Sequence, residues 1–145
     1  MIPDNFLTPD EENQVVEAIR VAEKNTSGEI RVHLEKDMGN DSLGRALKVF
    51  YELGMQNTAQ RNGVLFHVNI EKKIFSVLGD KGINEIVPSN FWDSIKDKVI
   101  AEFRNQNYAK GLVAGILEVG DKLKQYFPHQ KDDVNELSDE ISKNY

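Results

Sequence analysis

Cysteine is missing from all 145 residues. Its absence removes disulfides, thiolate zinc sites, iron–sulfur clusters and cysteine nucleophiles together. Histidine is scarce, at three residues, which leaves too little material for an all-histidine metal centre. Positive charge is in the minority, with 18 Lys and Arg against 24 Asp and Glu. The clustered basic face of a nucleic-acid-binding protein is therefore not expected. No apolar run approaches the roughly 18–20 residues that cross a bilayer. The first residues, Met1 to Asn5, have neither the basic start nor the apolar stretch of a signal peptide. The expectation is a soluble, cytoplasmic, monomeric protein with no membrane insertion.

What is present suits one globular domain. Apolar residues make up 39% and charged residues 29%, the mix of an ordinary soluble chain, and the length matches a single domain. The net charge of −6 is unevenly placed. Residues 1–25 carry six acids and two bases, and residues 129–145 carry five acids and two bases. The stretch between them holds 13 acids and 14 bases and is nearly neutral. Solvated helical faces account for such ends, and an acidic tail can also serve an unknown protein partner. The division expected is a domain over 1–128 and a tail over 129–145. In that tail Val134, Leu137 and Ile141 have the spacing of one short amphipathic helix.

Thr8-Pro9-Asp10-Glu11 is a helix start, with a threonine cap, proline at the first position and a glutamate that closes a capping box. Val15, Ala18, Ile19 and Ala22 follow at helical spacing. Glu29 to Glu35 alternates strictly and reads as a half-buried strand. A polar loop over 36–41, including Met38, leads to a helix capped by Asp41, with Leu43, Ala46, Leu47, Phe50 and Leu53 on one face. Residues 64–78 read as a β-hairpin reversing at Glu71-Lys72. A loop from Gly79 reaches Ser89, which caps a third helix marked by Trp92, Ile95, Val99 and Phe103. A fourth helix runs over about 108–126, with Gly111, Gly115 and Gly120 allowing close helix approach. The order predicts an α/β fold, a three-layer α/β/α sandwich whose small, mostly parallel or mixed sheet is flanked by four helices.

Two loops carry oxygen donors. One follows the first strand and offers Glu35, Asp37, Asn40 and Asp41. The other follows the hairpin and offers Asp80, Asn84 and Glu85. If their strands are parallel neighbours, both loops open at one sheet edge, where α/β proteins place ligands. Oxygen-only donors favour a hard cation, calcium above all, with magnesium or another hard divalent ion as the alternative. Asp and Asn are also the ordinary residues of caps and turns. Glu29 can serve as a metal ligand, a general acid or the partner of an Arg or a helix end. His33 and His67 can face one another across two strands, as a zinc pair or as hydrogen-bonded sheet histidines. A metal-assisted phosphohydrolase would use Asp80 for the cation and Lys81 for phosphate.

Three stretches resemble a known family. They are Thr26-Ser27-Gly28-Glu29-Ile30-Arg31-Val32, Arg61-Asn62-Gly63-Val64-Leu65, and Phe103 followed by Tyr108 and Gly111-Leu112. In this order and spacing they look like the TPM domain, over about residues 5–127. The resemblance implies an α/β/α sandwich. It also implies the roles linked to that family: calcium binding in some members, acid phosphatase activity, photosystem repair and receptor modulation. Many members carry a signal peptide, a transmembrane helix and a glycine-rich tail. This sequence has none of the three, so a stand-alone domain is expected.

Overall fold

The structure is a computed structural model that describes residues 6–37, 39–129 and 136–144. The elements in chain order are α1 (Pro9–Asn25), β1 (Glu29–Glu35), α2 (Ser42–Glu52), β2 (Gly63–Asn69), β3 (Ile74–Gly79), α3 (Lys81–Asn84), α4 (Asp93–Arg104), α5 (Tyr108–Leu123) and β4 (Ser142–Asn144). The capping box forms as the sequence predicts. The Thr8 hydroxyl accepts from the Glu11 N–H at 3.1 Å, and the Glu11 carboxylate accepts from the Thr8 N–H at 2.9 Å.

The sheet is mixed, in the order β3-β2-β1-β4. β1 runs parallel to β2 and to β4, and β2 and β3 form the antiparallel hairpin. The two faces of the sheet carry different cores. Ile30, Val32, Leu34, Val64, Phe66, Val68 and Val77 pack with α1, α4 and α5 in one large apolar cluster. The opposite face is covered by α2, where Leu65 meets Val49, Phe50 and Met55 in a smaller one. A three-layer α/β/α sandwich results. Alternation along β1 then forces Glu29, Arg31, His33 and Glu35 onto the α2 side. Gly120 sets the α1–α5 approach, since a Cβ there would lie 2.7 Å from Ala22 Cβ and 2.8 Å from its Cα.

Four expectations change. The Asp80 turn contains the short helix α3, making five helices among the described residues. Helix α4 begins after Trp92 without a side-chain cap, so Ser89 does not cap it. The described part of the tail holds no helix. Its Ser142–Asn144 instead extends the sheet as β4, because pairing with the otherwise open β1 edge outweighs a weak apolar stripe. Val134 and Met38 lie outside the described residues.

The fourth correction concerns the two acidic loops. Because β3 returns antiparallel, Gly79 pairs with Val64, which pairs with Ile30 at the start of β1. Glu35 pairs with Asn69, which pairs with Ile74 at the other end. At about 3.3 Å per residue the loops are separated by roughly 20 Å along the sheet. They do not share an edge and cannot form one site.

Candidate functional site

Glu35 is the hub of a buried polar cluster on the α2 face. It is 1% exposed, and both oxygens are taken. Arg45 of α2 donates to Oε2 through Nε and to Oε1 through Nη2, each at 2.9 Å. His67 Nε2 lies 2.6 Å from Oε2 and His33 Nε2 lies 3.3 Å from Oε1. The two rings are stacked, with centroids 5.7 Å apart, because parallel register sets His33 opposite His67. An ionised carboxylate only accepts, so each imidazole presents its Nε2–H to it. His33 Nδ1 then accepts the Ser142 hydroxyl at 2.8 Å, while His67 Nδ1 is buried with no hydrogen-bond partner. Burial would raise the Glu35 pKa, but the bonds from Arg45, His67 and His33 outweigh it and hold the group at about 2. Burial also pushes His33 below its ordinary value. The cluster ties α2, β1, β2 and β4 together, and its carboxylate has no oxygen left for a cation.

The rest of the first loop is engaged locally. Asp37 Oδ1 accepts from the Gly39 N–H, and Asp41 Oδ1 caps α2 through the Gly44 N–H at 2.9 Å. The Lys72 ammonium reaches over this loop to the Gly39 carbonyl and to Asn40 Oδ1.

The second loop opens onto a cleft. A cavity of about 410 Å³ lies between α2 and the β3–α3 turn. Leu47, Phe50 and Leu78 supply its apolar lining, and Tyr51, Arg61, Asp80, Lys81, Asn84 and Glu85 supply the rest. Asp80 is 5% exposed. Arg61 clasps it bidentately, Nε to Oδ2 at 2.7 Å and Nη2 to Oδ1 at 3.0 Å, and the Lys81 N–H donates to Oδ1 at 2.8 Å. Arg61 has φ of +50°, a left-handed conformation unfavourable for a long side chain. Asn84 bridges the Gly79 carbonyl and the Trp92 indole N–H. Glu85 is exposed at the end of α3. Gly82 seats the turn against the segment before β2, where a Cβ would lie 2.2 Å from the Gln60 carbonyl oxygen. Among the described residues no group of three or more His, Asp or Glu side chains is arranged to hold a metal ion. A larger groove of about 680 Å³ lies elsewhere, beside Phe91, Asp97 and Tyr126, and contains none of the sequence candidates.

Glu29 is 3% exposed and is held by the tail, its carboxylate accepting the Glu136 and Leu137 N–H groups at 2.8 Å each. Its partner is neither an Arg nor a helix end. Nearby, Glu23 accepts the Ile30 N–H at 3.1 Å and hydrogen-bonds Asp139 of the tail. Burial first, then Asp139, raises Glu23 to about 9. A carboxyl whose folded pKa is raised makes the fold lose stability as pH climbs from the unfolded value, 4.5, towards 9. Glu23→Gln mimics the protonated form. The variant should match the wild type near pH 4 and become the more stable of the two as pH rises, by at most about 1.4 kcal/mol per pH unit. Urea unfolding at pH 4, 6 and 8 measures this, and a gap independent of pH contradicts it.

Sequence reasoning missed Arg45, Arg61 and Glu23. Arg61-Asn62-Gly63 enters the sequence reading as part of the family resemblance and not as an ion-pair partner, and the two arginines become legible once the sheet fixes what they face.

The TPM domain family model matches residues 2–122. The chain belongs to the TPM domain family. No curated protein matches it. Among solved structures it is similar to the BA42 protein of the psychrophilic bacterium Bizionia argentinensis, solved by NMR. The two share 50% identity over 98% of each chain, with a TM-score of 0.93. An N-terminal domain from P. gingivalis shares the fold at 24% identity and TM-score 0.70, over 86% of this chain and 82% of that one. The N-terminal domain of cg2496 from Corynebacterium glutamicum does so at 13% identity and TM-score 0.64, over 80% and 73%. No described helix of this TPM domain is long and apolar enough to cross a membrane.

Proposed function

We propose that this TPM domain is a binding domain whose cleft takes a divalent cation, calcium above all, at Asp80 and Glu85, with Arg61 as the built-in competitor. One observation carries the reading. Asp80 is a nearly buried carboxylate that borders a solvent-open cleft and is neutralised there by a single guanidinium. The donor chemistry suits a hard cation, with two carboxylates and carbonyl oxygens nearby. The fit is partial while Arg61 holds both Asp80 oxygens and Trp92 holds Asn84. A cation enters only as Arg61 leaves, so affinity is low and water supplies most of the shell.

Thermal unfolding in EDTA and in millimolar calcium tests this. A hundredfold excess over the dissociation constant stabilises by about 2.7 kcal/mol. The wild type should gain stability with calcium, and Asp80→Asn should not. An equal response from both proteins contradicts the assignment.

A second reading is a metal-assisted phosphohydrolase. It is favoured by Lys81 and Arg61 lining the same cleft as Asp80, two cations suited to a phosphate ester. Hydrolysis of a chromogenic phosphate ester that needs divalent metal and disappears in Asp80→Asn supports it.

A further inference from the structure

The apolar residues of α2 span an arc wider than the sheet can cover. The sequence sets Leu43, Ala46, Leu47, Phe50 and Leu53 on one face, but the helix buries Ala46, Val49 and Phe50 and leaves Leu43 and Leu47 outside. Leu43, Leu47, Tyr51 and Ile86 are each 50% exposed or more, and no other large apolar side chain among the described residues is. Three of the four recur at every fourth position of α2 and form one stripe. Leu47 and Tyr51 of that stripe wall the cleft on one side, and Ile86 follows Glu85 of the opposite wall. Apolar residues scattered singly over a surface are ordinary, whereas their concentration around one opening marks a contact surface. Free charge around it has a prevailing sign. Lys48, next to Leu47, and Lys81, on the opposite wall, are exposed and pair with no acid among the described residues. Glu52 is taken by Arg45 at 3.7 Å and Asp80 by Arg61, which leaves Glu85 against the two lysines.

We propose that the outer face of α2 and the cleft beside it form a docking groove for an amphipathic helix of a partner protein, apolar along one stripe and acidic on its flanks. The stripe from Leu43 to Tyr51 is about 12 Å long at 1.5 Å per residue. Three apolar residues at i, i+4 and i+7 of a partner helix span nearly the same length, the usual anchors of a helix laid in a groove. Its acids face Lys48 on the outer rim and Lys81 across the cleft. A second copy of this chain fits less well. A two-fold contact centred on Leu47 brings Lys48 towards its own counterpart. The four side chains also expose on the order of 400 Å², well short of the roughly 800 Å² per partner of a stable interface between folded proteins. The docking needs no cation and goes beyond the calcium reading of the cleft.

A fluorescein-labelled helical peptide with leucines at i, i+4, i+7 and i+11 and glutamates on both flanks is the probe, and its twin carries lysines in place of the glutamates. Both are titrated in EDTA into the full chain, into Leu43→Asp with Leu47→Asp, and into Lys48→Glu with Lys81→Glu. Fluorescence anisotropy should show the acidic peptide binding the wild type at least tenfold more tightly than its twin, and the order should reverse in the lysine variant. The leucine variant should bind the acidic peptide at least tenfold more weakly than the wild type does. Amide shifts induced in the wild type should fall on residues 43–51 and 78–86. Equal affinity of the two peptides for the wild type, unchanged binding to the leucine variant, or no binding overturns the proposal. If the leucine variant does not fold, the two peptides on the wild type and the amide shifts decide. A concentration-dependent dimer of the wild type that the leucine variant abolishes assigns the face to a second copy and also overturns it. Because the titrations contain EDTA, their failure leaves the calcium reading standing, and failure of that reading leaves the groove.

Discussion

Replacing Glu35 with alanine should cost about 1–3 kcal/mol, the penalty for leaving buried imidazole donors without an acceptor, and lower Tm by roughly 3–10 °C. The carboxylate accepts from Arg45 twice, from His33 and from His67. Without it, His33 of β1 and His67 of β2 lose their acceptor where both are buried, while Arg45 of α2, its side chain 25% exposed, can turn to solvent. The loss depends on pH in a defined direction. Glu35 has its folded pKa lowered to about 2, so its stabilisation is complete above the unfolded value of 4.5 and disappears as pH falls through 2. The gap between wild type and variant should therefore shrink over that range. Urea unfolding at pH 7 and pH 3 checks both statements. A loss below about 1 kcal/mol at pH 7 would place the cluster among weak surface pairs.

The second large effect is expected at Gly82. A Cβ at this position would lie 2.2 Å from the Gln60 carbonyl oxygen and 2.5 Å from that of Arg61. Both are backbone atoms, so no side chain can swing aside. The Gly82 N–H also donates to the Arg61 carbonyl at 2.9 Å. Gly82→Ala must push the β3–α3 turn away from the segment that carries Arg61. Overpacking of this kind costs about 1–3 kcal/mol, and it parts the Arg61–Asp80 clasp that closes the cleft. Thermal unfolding should show the destabilisation, and amide shifts should move at residues 60–62 and 79–84. Wild-type stability in this variant contradicts the close approach.

Much of the fold is legible in the sequence because its signals are local. Thr8 to Glu11 caps α1 whatever else the chain does. The alternation from Glu29 to Glu35 has a single strand reading. Gly120 announces close helix contact, and the structure supplies Ala22 as the neighbour. The site is less legible because its partners are remote. Asp37, Asp41 and Asp80 look alike as loop acids, yet the antiparallel return of β3 sets Asp80 at the far end of the sheet from the other two. Glu35 reads as the last residue of a strand, and only parallel register turns it into the acceptor for two histidines. The tail is the clearest case. Leu137 and Ile141 have helical spacing, but Leu137 joins the α2-side cluster and Ile141 the larger one. A segment lying along a sheet edge serves both faces, which no helical stripe does.

Under the proposed function, Asp80 and Glu85 take calcium in competition with Arg61. The decisive measurement follows amide shifts through a calcium titration of the wild type and of Arg61→Ala. Shifts should be confined to residues 79–86 and the neighbouring turn at 60–62, with the Arg61→Ala midpoint at lower calcium because its Asp80 is already released. Shifts centred on residues 36–41, or none in either protein at millimolar calcium, would contradict it.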